Sequence, residues 1–94
     1  QQNKADLGIA ICGTGIGISI AANKVKGIMC AKISNEEEAK LAKEHNHANI
    51  IALSGKLSPE IAKNMIKTFL NTKPNKEEKY QRRINQIKEY ENAN

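Results

Sequence analysis

The chain is poor in the residues that anchor most small cores. It has no Trp, one Phe and two Tyr, so aromatics make up 3% of its 94 residues. The core must be built from Ile, Leu, Ala, Val and Met. The same scarcity removes the aromatic platforms on which nucleic-acid bases stack, and no Arg-rich block tracks a phosphate backbone. No nucleic-acid partner is expected. Cys12 and Cys30 are too few for a disulfide framework, form no CxxC and have no zinc spacing. Reduced thiols in a cytoplasmic protein are expected, with no metal. No apolar run approaches the ~20 residues of a membrane-spanning helix. No basic segment leads into an apolar one, so no signal peptide and no membrane partner are expected.

The charge is mildly positive. Lys and Arg number 15 against 10 Asp and Glu, a formal net charge of +5. Residues 1–72 carry nine Lys against six acids, and residues 73–94 six basic residues against four acids. An excess spread in this way suits a phosphorylated or acidic small ligand. At this length one domain is expected, with a core of modest size.

The hydrophobic pattern reads β-α-β-α-β-α-α. Strand one is the apolar run at 7–12. A glycine turn leads to a helix over 16–24, which Lys26-Gly27 ends. Strand two is 28–33. Ser34 is the expected N-cap of a helix running to about Glu44, with Glu36, Glu37 and Glu38 in its first turn against the macrodipole. Strand three is 49–53. Ser58-Pro59-Glu60 opens the next helix with an N-cap and Pro at N1. Ile61, Met65, Ile66, Phe69 and Leu70 fall on one face of it at helical spacing. Lys73-Pro74-Asn75 breaks the chain. The last helix, about 76–91, carries Tyr80, Ile84 and Ile87 on one stripe and is otherwise charged, so it is expected to lie across another surface.

Short apolar strands alternating with helices predict a three-layer α/β/α arrangement on a parallel sheet, Rossmann-like in class. Three strands make a small sheet of this type. With the polar lead Gln1-Gln2-Asn3-Lys4, the chain reads as the C-terminal part of a larger doubly wound domain. An open edge left unpaired is association-prone. Residues 1–74 read as the α/β part, and 75–94 as a helix lying across another surface.

The most informative stretch is Cys12-Gly13-Thr14-Gly15-Ile16-Gly17. It lies where a parallel strand hands over to a helix, the place where open α/β sheets build ligand crevices. Glycines at alternate positions let bare backbone approach a ligand, and the helix N-terminus behind them favours negative charge. The spacing is not G-x-G-x-x-G, and strand two ends in Lys32-Ile33-Ser34 rather than in an acid, so a dinucleotide is disfavoured. No Gly-Lys-Ser/Thr follows, which excludes a phosphate loop of the nucleotidase kind. A tight turn without ligand is the bland alternative. Cys12 is either a small core residue or a thiolate favoured by the helix N-terminus, able to act as nucleophile or base. Cys30 has no such setting and reads as packing.

His45-Asn46-His47 stands just past the expected helix end. The expected place for it is near the C-terminal side of the sheet, or on a loop able to reach it. An imidazole there can serve as a general acid or base and an Asn can orient a hydroxyl or carbonyl; solvated side chains at a helix end are the alternative. Lys79 and Arg83, four apart on a helix, either converge on a phosphate or form a solvated charged face.

Taken together, Asp6 to Lys24, Gly27, His45-Asn46, Ala48-Asn49 and Gln81-x-Arg83 resemble one family, type-B ribose-5-phosphate isomerase with its relatives the galactose-6-phosphate isomerase subunits. The resemblance implies an aldose–ketose sugar-phosphate isomerase of carbohydrate metabolism. It would convert ribose 5-phosphate to ribulose 5-phosphate through a cis-enediolate, with no cofactor. Cys12 would be the general base, and Thr14 and His45 would assist ring opening. The backbone of Gly13, Gly15, Ile16 and Gly17 would hold the enediolate oxygen. Asn46 would hydrogen-bond the sugar, and Lys56, Lys79 and Arg83 would bind phosphate. The chain would hold the C-terminal three strands and helices of a five-strand domain, and the 75–94 helix would pack on a partner subunit, so that the site is shared across a homodimer or a dimer of dimers. Lys56 and Lys79 stand where the family usually has Arg, Tyr80 where it has His, and an Asp-His segment of the family has no counterpart in these residues. A galactose-6-phosphate isomerase subunit, and a non-catalytic binding or dimerisation module, are the alternatives.

Overall fold

The computed structural model describes residues 7–93; the lead Gln1-Gln2-Asn3-Lys4, Asp6 and Asn94 lie outside the described residues. Within them the chain runs β1 (Gly8–Cys12), α1 (Ile16–Asn23), β2 (Cys30–Lys32), α2 (Glu36–Asn46), β3 (Ile50–Ser54), α3 (Pro59–Asn71) and α4 (Glu78–Ala93). The expected alternation and the parallel sheet are both present.

The strand order is β1-β3-β2, all parallel. Gly8 pairs with Ile50 and Cys12 with Ser54, while Cys30 also aligns with Ile50. The chain passes over β3 to reach β2 and then returns, so right-handed crossovers put α1 and α2 on opposite faces. α1 packs over all three strands, and α2 packs with α3. The central strand is buried from both sides. Ile51 and Leu53 point into a core with Ala39, Ala42, Met65 and Phe69, while Ala52 points the other way, as period-two alternation requires. Phe69, Ile51, Leu53 and Met65 are the largest side chains in this core, so the single Phe is spent at its centre.

Both sheet edges end in β1 and β2, and they are treated differently. β2 is short, and the Asn23 amide pairs with its backbone: Nδ2 donates to Cys30 O and Oδ1 accepts from Cys30 N, both at 2.8 Å. Asn49 does the same one step earlier, accepting from Met29 N at 2.8 Å and donating to Gly27 O at 2.9 Å. These amides stand in for ladder bonds at the strand's entry. Among the described residues β1 has no partner on its outer edge, and Ile9 and Ile11, which share the face of Ile51 and Leu53, are left exposed there.

Three local expectations are corrected. The N-cap of α2 is Asn35, whose Oδ1 accepts from Glu38 N at 2.8 Å, while Ser34 N donates to the Glu38 carboxylate at 2.7 Å. The helix therefore starts one residue later, and it ends later too, at His47 in the left-handed region (φ 54). On α3 only Met65 and Phe69 are buried, with Ala62 and Ile66 packed beside them. Ile61 and Leu70, each 49% exposed, flank that stripe because α3 lies on the surface and buries a narrow arc. The Ser58 cap and Pro59 at N1 match the expectation. On α4, Ile84 is buried and Ile87 is largely exposed.

This division of α3 predicts that Phe69→Ala lowers unfolding free energy by about 3–5 kcal/mol. Leu70→Ala should cost less than about 1 kcal/mol. Urea unfolding of the two variants checks the assignment.

Candidate active site

β1 and β3 are neighbours, and the helices that follow them lie on opposite faces. Their C-terminal ends therefore form the switch point at which α/β sheets open a crevice. Two bonds lash the two loops together there, and a third, within the loop after β3, fixes the Ser54 hydroxyl. Gly55 N donates to Cys12 O at 2.6 Å, Ser54 Oγ donates to Gly13 O at 2.7 Å, and Lys56 N donates to Ser54 Oγ at 3.1 Å. Ser54 is a residue that sequence reasoning missed. Nothing in its local pattern distinguishes it from any Ser ending a strand, and its role exists only because β1 and β3 are adjacent.

Within the turn, Gly15 is the N-cap of α1 at φ 83, and a Cβ there would stand 3.1 Å from the Leu53 backbone. Glycine is obligatory at that position for the chain alone. At Gly13 and Gly17 a Cβ would meet nothing within 4 Å. Among the described residues, nothing in the fold demands glycine at those two places.

Cys12 is half-buried at the lip of this turn, with Gly13, Thr14, Ile16 and Gly17 exposed around it. Gly15 N–H donates to its Sγ at 3.2 Å. The amides of Ile18 and Gly15 hold the thiol below its ordinary range; they outweigh desolvation, and Thr14 and Gly17 add to them. Cys30 is the opposite case: burial pushes its thiol up. Thr14 Oγ1 accepts from Ile16 N at 3.2 Å, which fixes its lone pairs and leaves its proton for donation. Lys56 lies exposed just beyond β3.

His45 and Asn46 are not at this end, which corrects the expected placement. They close α2, and β3 starts at Ile50, level with Gly8 and Cys30. A helix that follows a parallel strand runs back to the strand starts, so both residues sit at the N-terminal edge of the sheet. That edge lies roughly 13 Å from Cys12 along the five-residue β1 at ~3.3 Å per residue.

Here His45 meets α4. Its imidazole stacks on Tyr80 with ring centroids 4.5 Å apart and planes at 12°. Lys79 Nζ lies 5.0 Å from the Tyr80 ring centroid, and Arg83 follows one turn on, both exposed. The chain therefore carries two clusters. Cys12, Gly13, Thr14, Gly15, Ile16, Gly17 and Lys56 gather at one end of the sheet; His45, Asn46, Lys79 and Arg83 gather at the other. Among the described residues no group of three or more His, Cys, Asp or Glu side chains is placed to hold a metal ion. None of their helices is long and apolar enough to cross a membrane.

Residues 1–87 match the family described as Ribose/Galactose Isomerase. Among individual proteins, the putative sugar phosphate isomerase YwlF of Bacillus subtilis is 45% identical over 94 residues, 99% of this chain and 62% of that protein. Galactose-6-phosphate isomerase subunit LacB of Clostridium acetobutylicum is 46% identical over 79 residues, covering 81% and 46%. A solved structure of ribose-5-phosphate isomerase B from Mycoplasma genitalium with bound ribulose-5-phosphate superposes with a TM-score of 0.88 at 39% identity, covering 94% of this chain and 58% of that one. The chain thus spans about 60% of the length of the first of these relatives and of the solved chain.

The two kinds of glycine separate in stability. Gly15→Ala should lower unfolding free energy by about 1–3 kcal/mol through backbone strain. Gly17→Ala, inside α1 and unobstructed, should leave it unchanged or raise it by up to about 1 kcal/mol. Urea unfolding distinguishes them.

Proposed function

The chain belongs to the ribose/galactose isomerase family, and from that membership and the site geometry we propose that the whole protein is a cytoplasmic sugar-phosphate isomerase using Cys12 as its base. The observation that carries this is the sulfur at the switch point, with the Gly15 amide on it and Gly13 and Gly17 open beside it. The preferred substrate is ribose 5-phosphate. Cys12 and the His45-Asn46 pair stand in one chain, and a relative named for ribose 5-phosphate matches along 94% of it. A hexose 6-phosphate is the second reading, favoured by the likeness to the galactose-6-phosphate isomerase subunit.

In the reaction, the Cys12 thiolate takes the proton from C2 of the open-chain aldose. Electrons move onto O1, and the cis-enediolate forms beside the backbone of Gly13–Gly17. Gly15 N–H is turned to the sulfur and Ile16 N–H to Thr14. Gly13 and Gly17, where a Cβ would meet nothing within 4 Å, are the places of closest substrate approach, and amide dipoles there favour the developing charge. A proton passes from O2 to O1, the C2 oxygen closes its carbonyl, and Cys12 returns the first proton to C1, giving the ketose with no net gain or loss. Thr14 and His45 open the sugar ring beforehand, and Asn46 holds a hydroxyl. Lys56, Lys79 and Arg83 neutralise the phosphate; the lysines act as point charges rather than bidentate forks.

No single chain brings its own Cys12 to its own His45, because the sheet separates them. A second copy, supplying His45, Asn46, Lys79 and Arg83 to the first copy's Cys12, completes the site. The segment 75–94, whose Lys79 and Arg83 stay exposed while Ile84 is buried, is the part that reaches across. A homodimer, alone or paired into a dimer of dimers, follows.

Mixing two inactive variants tests this in the whole protein. Cys12→Ala and His45→Ala homodimers should each lose turnover by at least about 100-fold. Subunit exchange should restore about a quarter of the native rate, since half the dimers are mixed and each mixed dimer has one intact site. No recovery on mixing would contradict the shared site. Ribose 5-phosphate against galactose 6-phosphate as substrate decides between the two readings.

A further inference from the structure

Resting on the reading of His45 as a ring-opening group, we propose that Tyr80 is a positioning residue for His45, held in place by a clasp that His47 closes on Asn75.

His45 is 38% exposed in its side chain, and its pairing with Glu44 Oε1 spans 3.8 Å, beyond hydrogen-bond range. What orients the ring is its flat face on Tyr80, 4.5 Å away and tilted by 12°. A hydrogen bond would consume one ring nitrogen. A stack fixes the imidazole plane and uses neither, leaving both for substrate.

Tyr80 is itself set by a closed chain of bonds. Asn75 N donates to Glu44 O at 2.9 Å, and Asn75 O accepts from His47 Nε2 at 2.8 Å. Asn75 Oδ1 accepts from Glu77 N at 2.8 Å, and Glu77 O accepts from Tyr80 N at 3.1 Å. The path leaves α2 beside His45 and returns to His45 through Tyr80. His47 takes φ 54, uncommon for a non-glycine residue, and that turn at the end of α2 carries its ring to Asn75. A neutral imidazole protonated on Nε2 and an imidazolium both donate this bond, so the clasp holds in either state.

Ring opening gives a readout that a merely structural role would not move. In the cyclic aldose a proton leaves O1, the bond from C1 to the ring oxygen breaks, and a proton arrives on that oxygen. Ribulose 5-phosphate has no free hydroxyl able to close a furanose ring. Exchange of its C1 hydrogen with solvent deuterium therefore needs the Cys12 chemistry and no ring opening.

In the whole protein, Tyr80→Ala should lower turnover of ribose 5-phosphate by about 10- to 100-fold. Deuterium exchange into ribulose 5-phosphate should stay within about twofold of native, which also reports an intact fold. Tyr80→Phe, which keeps the stack, should restore turnover, and the His45 ring-proton shifts should move in the Ala variant and not in the Phe variant. Unchanged turnover in Tyr80→Ala, or turnover and exchange falling together, overturns the proposal. His45→Ala with undiminished turnover would instead overturn the ring-opening reading on which it rests.

Discussion

Everything at the C-terminal end of the sheet depends on backbone amides converging on one sulfur. β1 delivers Cys12 to the start of α1, Gly15 bends the chain in the left-handed region, and the Gly15 and Ile18 amides then face the thiol. Take away the bend and the dipoles point elsewhere. The bend in turn depends on β3. A side chain at Gly15 would press on the Leu53 backbone, and Ser54 and Gly55 tie down the carbonyls of Gly13 and Cys12. A buried central strand, rigid because Ile51, Ala52 and Leu53 are fully covered, is the anvil on which the reactive turn is shaped.

The same sheet also keeps the chain's candidate site residues apart. Parallel strands with returning helices send successive loops to opposite ends. Cys12 ends β1 and Lys56 follows β3, whereas His45 and Asn46 precede β3. On the proposed reading, the acid–base pair of one site comes from two copies, and assembly becomes a condition of chemistry. On that reading the final helix bridges two copies: Ile84, the Tyr80 stack on His45 and the Glu91 bond to Gly27 N hold it to its own chain, while Lys79 and Arg83 stay on the outside.

How legible this was in the sequence follows from the range of each signal. The Ser58-Pro59 start of α3 and the strand alternation were readable because caps and periodicity are local. The expectation that Ile61 and Leu70 share the buried face failed because periodicity gives a direction and not the width of the buried arc. Asn35 displaced Ser34 as cap because both residues suit the position and the Glu38 pairing decides between them. The true position of His45 was within reach of sequence reasoning, since a helix after a parallel strand must end at the strand starts. Asn23, Asn49, Ser54 and His47 were not legible. Each acts on backbone that only the folded chain brings near, with the Ser54 and Gly13 partners 41 residues apart.

The central claim concerns the ionisation of Cys12, and the ultraviolet absorbance of its thiolate, followed against pH in a Cys30→Ser background, tests it most directly. Because the amides lower the folded-state value, the absorbance should already be present below the ordinary thiol range and vanish only as pH falls through that lowered value. A sulfur that ionises at or above the ordinary thiol value would contradict the account.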